Sequence, residues 1–168
     1  KENLVYEAVQ EGRRRERLAF EAQEREHDPA DLIAPLRAFF EHNLSEEMVP
    51  YFRLLYEVWG IALVHPERYG RFLEGIITTW VDAVAEILRR GGFSARDARV
   101  RATLALGALR GLQLDLFTTR ERARVTAAFS TLLQMLEREI ADRERVDAPE
   151  PGTTARPPAS ADSTQKET

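Results

Sequence analysis

Apolar residues recur at spacings of three and four along most of the chain, which is the pattern of amphipathic helices. The spacing predicts an all-α fold, a helical bundle of about six helices, and no segment shows the alternation typical of a strand. The predicted helices span residues 1–26, 30–43, about 45–64, 66–90, 95–118 and about 120–145. Ser45 and Ser94 are the expected N-caps of the third and fifth helices, and Gly91-Gly92 is expected to end the fourth.

The fifth predicted helix is apolar on two sides. One side carries Val100, Leu104, Gly107, Gly111 and Leu114, and the other carries Leu106, Leu109, Gln113, Leu116 and Phe117. Each glycine costs a helix interior about 1 kcal/mol relative to alanine, so the pair on one face indicates close packing against a neighbour. Because a helix that is apolar on both sides is buried on both, we expect one side to face the core and the other a partner.

The last predicted helix adds a second apolar stripe, formed by Val125, Phe129, Leu132, Leu136 and Ile140. Two interpretations fit the helix pair: the interior of a monomeric bundle, or a two-fold homodimer in which each subunit gives two helices to a four-helix interface. We favour the homodimer. The interface is then predicted to contain Leu104, Gly107, Gly111, Leu114, Val125, Phe129, Leu132 and Leu136.

Aromatic residues concentrate in the middle of the chain, where both tryptophans lie. Core packing explains any one of them, but together they are typical of an apolar ligand pocket between bundle helices. Gln113 interrupts an apolar stripe and needs a hydrogen-bond partner, either a ligand or a neighbouring side chain, and Glu57 raises the same question. The predicted lining is Phe52, Leu55, Tyr56, Trp59, Phe72, Ile76, Trp80, Leu109, Gln113 and Phe117.

Composition argues against several other classes of protein. The net charge of −4 does not fit a free-standing nucleic-acid binder, and the absence of cysteine excludes disulfides and thiolate chemistry. The uncharged runs are too short to span a bilayer. Residues 146–168 are rich in Pro, Ser, Thr and Ala, which predicts a disordered tail.

Motifs for catalysis or metal binding are missing from the sequence. His27, His42 and His65 are scattered, without ligand spacing, and there is no phosphate loop or nucleophile elbow. The run Arg13-Arg14-Arg15 lies among glutamates, including Glu16, and is interpreted as a solvated face. We therefore expect no catalytic activity, no metal, no cofactor and no membrane partner.

Three segments, in order, resemble TetR-family transcriptional regulators. The opening KENLVYEAVQ is similar to the start of the helix that follows the family's helix-turn-helix, and RLLYEVWGIALVHPERY is similar to its ligand-domain core. The segment LALGALRGLQLDLFTTRERARVTAAFSTLLQMLE resembles the family's C-terminal dimerisation helices. The resemblance covers residues 1–140 and implies an all-α homodimer in the bacterial cytoplasm.

The resemblance also implies roles for parts of the chain. Residues 1–26 would be the linker helix from a DNA-binding domain that precedes Lys1, and Lys1 would touch a DNA phosphate. Residues 27–145 would bind a small hydrophobic or aromatic effector and dimerise. The implied function is a repressor that its effector releases from operator DNA, although an activator is also compatible. The alternatives are a helical homodimeric interaction module without a ligand and a small enzyme with Glu57 or a histidine as base.

Overall fold

A computed structural model describes residues 2–28 and 30–147 of the chain; Lys1, and with it the predicted phosphate contact, lies outside the described residues. Every regular element in the described part is a helix, which confirms the predicted all-α class. The helices are α1 (Glu2–Glu26), α2 (Ile33–Asn43), α3 (Val49–Val64), α4 (Pro66–Leu73), α5 (Thr78–Arg90), α6 (Ala95–Thr119) and α7 (Arg122–Asp147).

The predicted helix 66–90 is wrong as one element, since it forms two helices, α4 and α5. Glu74 is extended and Gly75 has a φ of 65°, and the Ile76 amide donates to the Leu73 carbonyl at 3.3 Å. A positive φ at the third position of such a turn is the geometry of a type II turn, which favours glycine there. Gly75 thus breaks a helical pattern that the apolar residues on either side continue.

The predicted end of α5 and the predicted start of α6 are both confirmed. Gly92 has a φ of 82°, and the Phe93 amide donates to the Leu88 carbonyl, so a Schellman motif ends α5. The Ser94 hydroxyl oxygen accepts a hydrogen bond from the Asp97 amide at 3.1 Å and caps α6. α7 continues to Asp147, two residues beyond the predicted helix boundary, and the remainder of the predicted tail lies outside the described residues.

The predicted cap at Ser45 is wrong. The chain makes further turns after α2, and α3 begins at Val49, so the Ser45 hydroxyl lies too early to reach the first amides of the helix. That hydroxyl is buried and forms no hydrogen bond with the described residues.

The main core lies between α2, α5, α6 and α7, with α5 packed along α6. Its fully buried side chains include Leu36, Phe40, Val84, Ile87, Leu88, Leu106, Val125 and Leu133. A second cluster joins α1, α3 and the α4–α5 corner through Val9, Phe52, Leu55, Ala62, Phe72 and Ile76. α1 contributes to both, because Val9 lies in the second cluster and Phe20 in the first.

Candidate ligand cavity and pairing face

A cavity of about 30 Å³, partly open to solvent, lies where the two clusters meet, bounded by α1, α2, α3, the α4–α5 corner, α5 and α6. Eight of the ten predicted pocket residues line it, together with seven that were not predicted. The predicted ones are Phe52, Leu55, Tyr56, Trp59, Ile76, Trp80, Leu109 and Gln113, and the others are Arg13, Glu16, Phe39, Asn43, Tyr51, Leu106 and Arg110.

Phe72 and Phe117 lie outside this cavity, which differs from the prediction. Phe72 is buried in the second cluster, and Phe117 packs edge-on against Tyr56 at 6.3 Å between ring centres. Both residues follow the helical spacing of the predicted lining. That spacing predicts only which side of the helix a residue occupies, whereas its position along the helix axis decides which residues it contacts.

Gln113 finds its partners within the chain. It is 1 % exposed, its Oε1 accepts a hydrogen bond from the Tyr56 hydroxyl at 2.5 Å, and its Nε2 donates to the Asn43 carbonyl at 3.1 Å. Neighbouring groups therefore satisfy this amide, and its polarity does not require a ligand. Glu57 is exposed and lies away from the cavity.

Glu16 is the main residue that the sequence interpretation placed wrongly. It is 6 % exposed, so it does not belong to a solvated face. Val9, Glu16 and Phe20 share one face of α1 at spacings of seven and four, and this spacing was the available signal. The buried face of α1 passes between the two apolar clusters and carries the carboxyl into the cavity wall.

The Glu16 carboxyl has few compensating contacts. Burial raises its pKa to about 7, although a hydrogen bond from the Tyr51 hydroxyl and the positive charges of Arg110 and Arg13 act in the opposite direction. The Tyr51 bond is long, at 3.4 Å. Burial also raises the pKa of the Tyr51 and Tyr56 hydroxyls, which stay neutral donors at physiological pH.

Gly12 lets Tyr51 approach α1. A Cβ atom at Gly12 would lie 2.1 Å from Cε2 of the Tyr51 ring, well inside van der Waals contact. A residue with a side chain at this position would displace the ring, whose hydroxyl donates to Glu16. The glycine therefore permits the position of Tyr51 in the cavity wall, and the helix pattern alone did not single it out.

Two guanidinium groups line the cavity without a carboxylate partner. Arg110 lies over the Trp59 ring, 5.6 Å from its centre, and forms no hydrogen bond or ion pair with the described residues. Burial lowers the pKa of Arg110. Among the described residues, Arg13 donates only to the Gln10 side chain and the Glu74 carbonyl, at 3.4 and 3.3 Å. The neighbouring Arg14, in contrast, pairs with Glu11 on the surface, as the prediction of a solvated face requires.

Asn43 adds an unsatisfied acceptor to the cavity wall. Its Nδ2 donates to the Phe39 carbonyl at 2.7 Å, but its buried Oδ1 has no hydrogen-bond partner among the described residues. Since nearly all buried polar atoms in folded proteins are hydrogen-bonded, an unpaired acceptor beside a cavity favours a donor inside it.

The cavity adjoins a larger surface pocket. Its own volume of about 30 Å³ is enough for water, whereas ligand sites typically enclose ~300–1,000 Å³. Arg13 and Trp80 line both this cavity and a pocket of about 220 Å³ between α1 and α5. The two spaces therefore share part of their walls.

A second feature is an exposed apolar stripe on α6, on the opposite side from the cavity. Leu104 is 66 % exposed, and Val100 and Leu114 are exposed as well. A Cβ atom at Gly107 or Gly111 would meet no described atom within 4 Å, so nothing in the described part of the chain packs closely against these glycines.

One face of α7 borders the same stripe. Arg124 and Glu139 form ion pairs with Asp115 and Arg101 of α6, and Leu132 and Met135 lie between them on the same helical face. We call this surface the pairing face and define it by Val100, Leu104, Gly107, Gly111, Leu114, Leu132 and Met135. Three residues predicted for the interface, Val125, Phe129 and Leu136, instead lie in the core of the chain itself.

Comparisons of the chain with protein-family models, curated proteins and solved structures find no significant match. Within residues 2–28 and 30–147, no helix is long and apolar enough to cross a membrane. The same part of the chain contains no group of three or more His, Asp or Glu side chains arranged to hold a metal ion.

Proposed function

We propose that the chain is the effector-binding and dimerisation part of a TetR-like transcriptional regulator, a repressor that a small hydrophobic ligand releases from operator DNA. The observation that carries the proposal is the division of α6 into two faces. Leu109 and Gln113 line the aromatic cavity, while Leu104, Gly107 and Gly111 lie on the uncovered pairing face. A single rigid helix thus joins a candidate ligand site to a candidate dimer contact.

The occupant proposed for the pairing face is a second copy of the chain. Val100, Leu104, Gly107, Gly111 and Leu114 follow one another at spacings of four and three, which is the spacing of helices that pair along a seam. Two glycines disfavour the helix by about 1 kcal/mol each and have no close neighbour among residues 2–28 and 30–147. A two-fold partner would supply that neighbour, because the same small residues then face each other.

The proposed signal passes through α1. Arg13 and Glu16 belong to this helix and line the cavity, so a ligand there would contact α1 directly. In the longer protein that the resemblance implies, α1 leads to the DNA-reading helices. Half-sites on DNA lie ~34 Å apart. A shift of α1 in each subunit would change the distance between the two DNA-binding domains and favour the dimer that is not bound to DNA.

The experiment that tests the dimer compares two leucines with nearly equal exposure. Leu104 on the pairing face is 66 % exposed and Leu63 on α3 is 64 % exposed. Burying Leu104 in both subunits would contribute about 3–6 kcal/mol, so Leu104→Glu is expected to raise the dimer Kd at least ~100-fold. Light scattering with size exclusion should show a dimer for the unchanged chain and for Leu63→Glu, and a monomer for Leu104→Glu.

Substitution of two glycines provides a second test of the dimer contact. At both Gly111 and Gly60, a Cβ atom would meet no atom of the described residues within 4 Å. Gly111→Leu should therefore disrupt the dimer by overpacking the contact between copies, while Gly60→Leu should leave it intact. A monomeric unchanged chain, or a dimer that survives both Leu104→Glu and Gly111→Leu, would rule out the pairing face.

A second candidate function is a helical homodimeric interaction module without a ligand. The small volume of the cavity, about 30 Å³, favours it. Trp59 and Trp80 are the two tryptophans of the chain and both line the cavity, so their fluorescence reports on it. A dimer whose tryptophan emission does not respond to hydrophobic compounds, whether charged or neutral, would support the module without a ligand.

A further inference from the structure

The ionisable groups of the cavity wall do not balance in charge. Arg13 and Arg110 line the cavity with one carboxyl, Glu16, and the two other ionisable side chains there are the neutral hydroxyls of Tyr51 and Tyr56. Neither guanidinium forms an ion pair with the described residues. Both arginines are partly buried. Partial burial weakens the hydration of a cation, so the wall favours a compensating negative charge.

Glu16 supplies only part of that compensation. It lies beyond salt-bridge distance of both arginines, and burial raises its pKa to about 7, which leaves it partly protonated near neutral pH. Arg110 lies over the face of the Trp59 ring, 5.6 Å from its centre, which is a cation–π contact. The cavity wall therefore carries net positive charge among aromatic and aliphatic side chains. A positively charged ligand would be repelled by this charge.

The surface pocket that adjoins the cavity is also basic. Arg13, Arg14 and Arg17 line it, with Gln10, Thr79 and Trp80 completing the wall. Arg14 is paired with Glu11, but the described residues that line the pocket include no carboxylate. Clefts lined by charge of one sign attract ligands of the opposite sign, so an anion would be drawn to the gap between α1 and α5.

We infer that the cavity binds an amphipathic organic carboxylate, which enters between α1 and α5, places its carboxylate against Arg110 and Arg13, and buries its apolar body among the aromatic side chains. This inference deepens the proposed function, because it names the class of effector. Guanidinium groups suit the carboxylate since they donate two parallel hydrogen bonds. A hydroxyl or amide on the ligand would also satisfy the unpaired Oδ1 of Asn43.

Binding of this ligand requires the cavity to widen, and the structure contains a link that would have to open. Arg13 donates to the Glu74 carbonyl at 3.3 Å and so ties α1 to the turn between α4 and α5. A ligand carboxylate is a stronger acceptor than a carbonyl and would compete for the same guanidinium. Carboxylate binding is thereby coupled to the separation of α1 from the α4–α5 turn.

The test uses three probes that share one chain length and differ in head charge: octanoate, octylammonium and octanol. Each is titrated into the 168-residue chain at neutral pH, with tryptophan emission and calorimetry as readouts. Octanoate is expected to change the emission of Trp59 and Trp80 saturably. Octanol should bind at least ~10-fold more weakly, and octylammonium more weakly still, because they lack the charge-assisted bonds.

Variants then locate the head group. Arg110→Met keeps much of the side-chain volume and should weaken octanoate at least ~10-fold, whereas Arg96→Met, on the exposed start of the same helix, should not change it. Arg13→Gln removes the other positive charge of the cavity wall and tests the same head-group position independently. Circular dichroism establishes that each variant is folded before it is titrated.

The outcomes separate this inference from the function on which it rests. Equal binding of all three probes, or octanoate binding that Arg110→Met and Arg13→Gln leave unchanged, would overturn the carboxylate assignment while leaving the cavity as an effector site. Binding of none of them would also overturn it. The dimer is measured separately by light scattering, so loss of the pairing face would refute the proposed function without altering the probe result.

Discussion

The titration of Glu16 gives a sharp test of the cavity wall. Burial raises the pKa of this carboxyl from 4.5 to about 7 in the folded chain. Between these two values the folded state binds more protons than the unfolded state, so the free energy of unfolding falls as the pH rises. The stabilisation is fully present below about pH 4.5 and is lost as the pH passes through about 7.

The size of this effect follows from the pKa difference. At ~1.4 kcal/mol per pH unit, a rise from 4.5 to about 7 corresponds to about 3 kcal/mol of stability lost on ionisation of Glu16. Glu16→Gln removes the ionisation but keeps a polar side chain of similar shape that the Tyr51 hydroxyl can reach. The variant should therefore lack this part of the pH dependence and exceed the unchanged chain in stability above neutral pH.

Urea unfolding followed by circular dichroism measures the difference, at one protein concentration so that any dimer contributes equally. The stability of Glu16→Gln minus that of the unchanged chain should rise by about 2.5 kcal/mol between about pH 5 and about pH 8.5. Glu11→Gln is the control, because hydrogen bonds from Arg14 and Arg15 hold the pKa of Glu11 at about 2, below this range. Parallel curves for the unchanged chain and Glu16→Gln would refute the burial of this carboxyl.

Two further substitutions test the packing around the cavity. Gly12→Ala should lower the free energy of unfolding by about 1–3 kcal/mol, because the added methyl group overlaps the tyrosine ring packed there. The control Gly60→Ala should stabilise the chain slightly. Equal changes in the free energy of unfolding by urea would contradict the close contact. Gln113→Leu should destabilise by about 2–4 kcal/mol, because it leaves two buried hydrogen-bonding groups unpaired. Combined with Tyr56→Phe, its effect should be clearly less than additive, and additive effects would show that the two side chains are not coupled.

Most of the helices could be predicted from the sequence, because local residues determine where a helix begins and ends. Gly91-Gly92 and Ser94 act through backbone geometry and a single side-chain hydrogen bond, so they mark an end and a start wherever they fold. The break at Gly75 and the late start of α3 at Val49 were missed. In both places apolar spacing continues through a turn, and periodicity alone does not distinguish one long helix from two that pack on the same core.

The apolar and aromatic lining of the cavity was predicted for the most part, although Phe39, Tyr51 and Leu106 were missed. All three charged residues of the lining, Arg13, Glu16 and Arg110, were missed. Phe52, Trp59 and Trp80 follow helical spacing on faces that had to be buried. Glu16 and Arg110 also lie on inward faces, but a charged residue is usually solvated, and its burial depends on which helices surround it. Only the positions of α3 and α6 relative to α1 place these charges beside one cavity.

The sequence by itself determined which segments are helical, where α5 ends and α6 begins, and that α6 carries two apolar faces. These properties depend on residues close together along the chain, where helix geometry fixes the spacing. The tertiary structure decided that Gln113 is satisfied by Tyr56 and Asn43, that Glu16 is buried, and that Val125 and Phe129 belong to the core rather than to the pairing face. Each of these depends on contacts between distant segments, because burial and pKa are set by the neighbours that packing brings together.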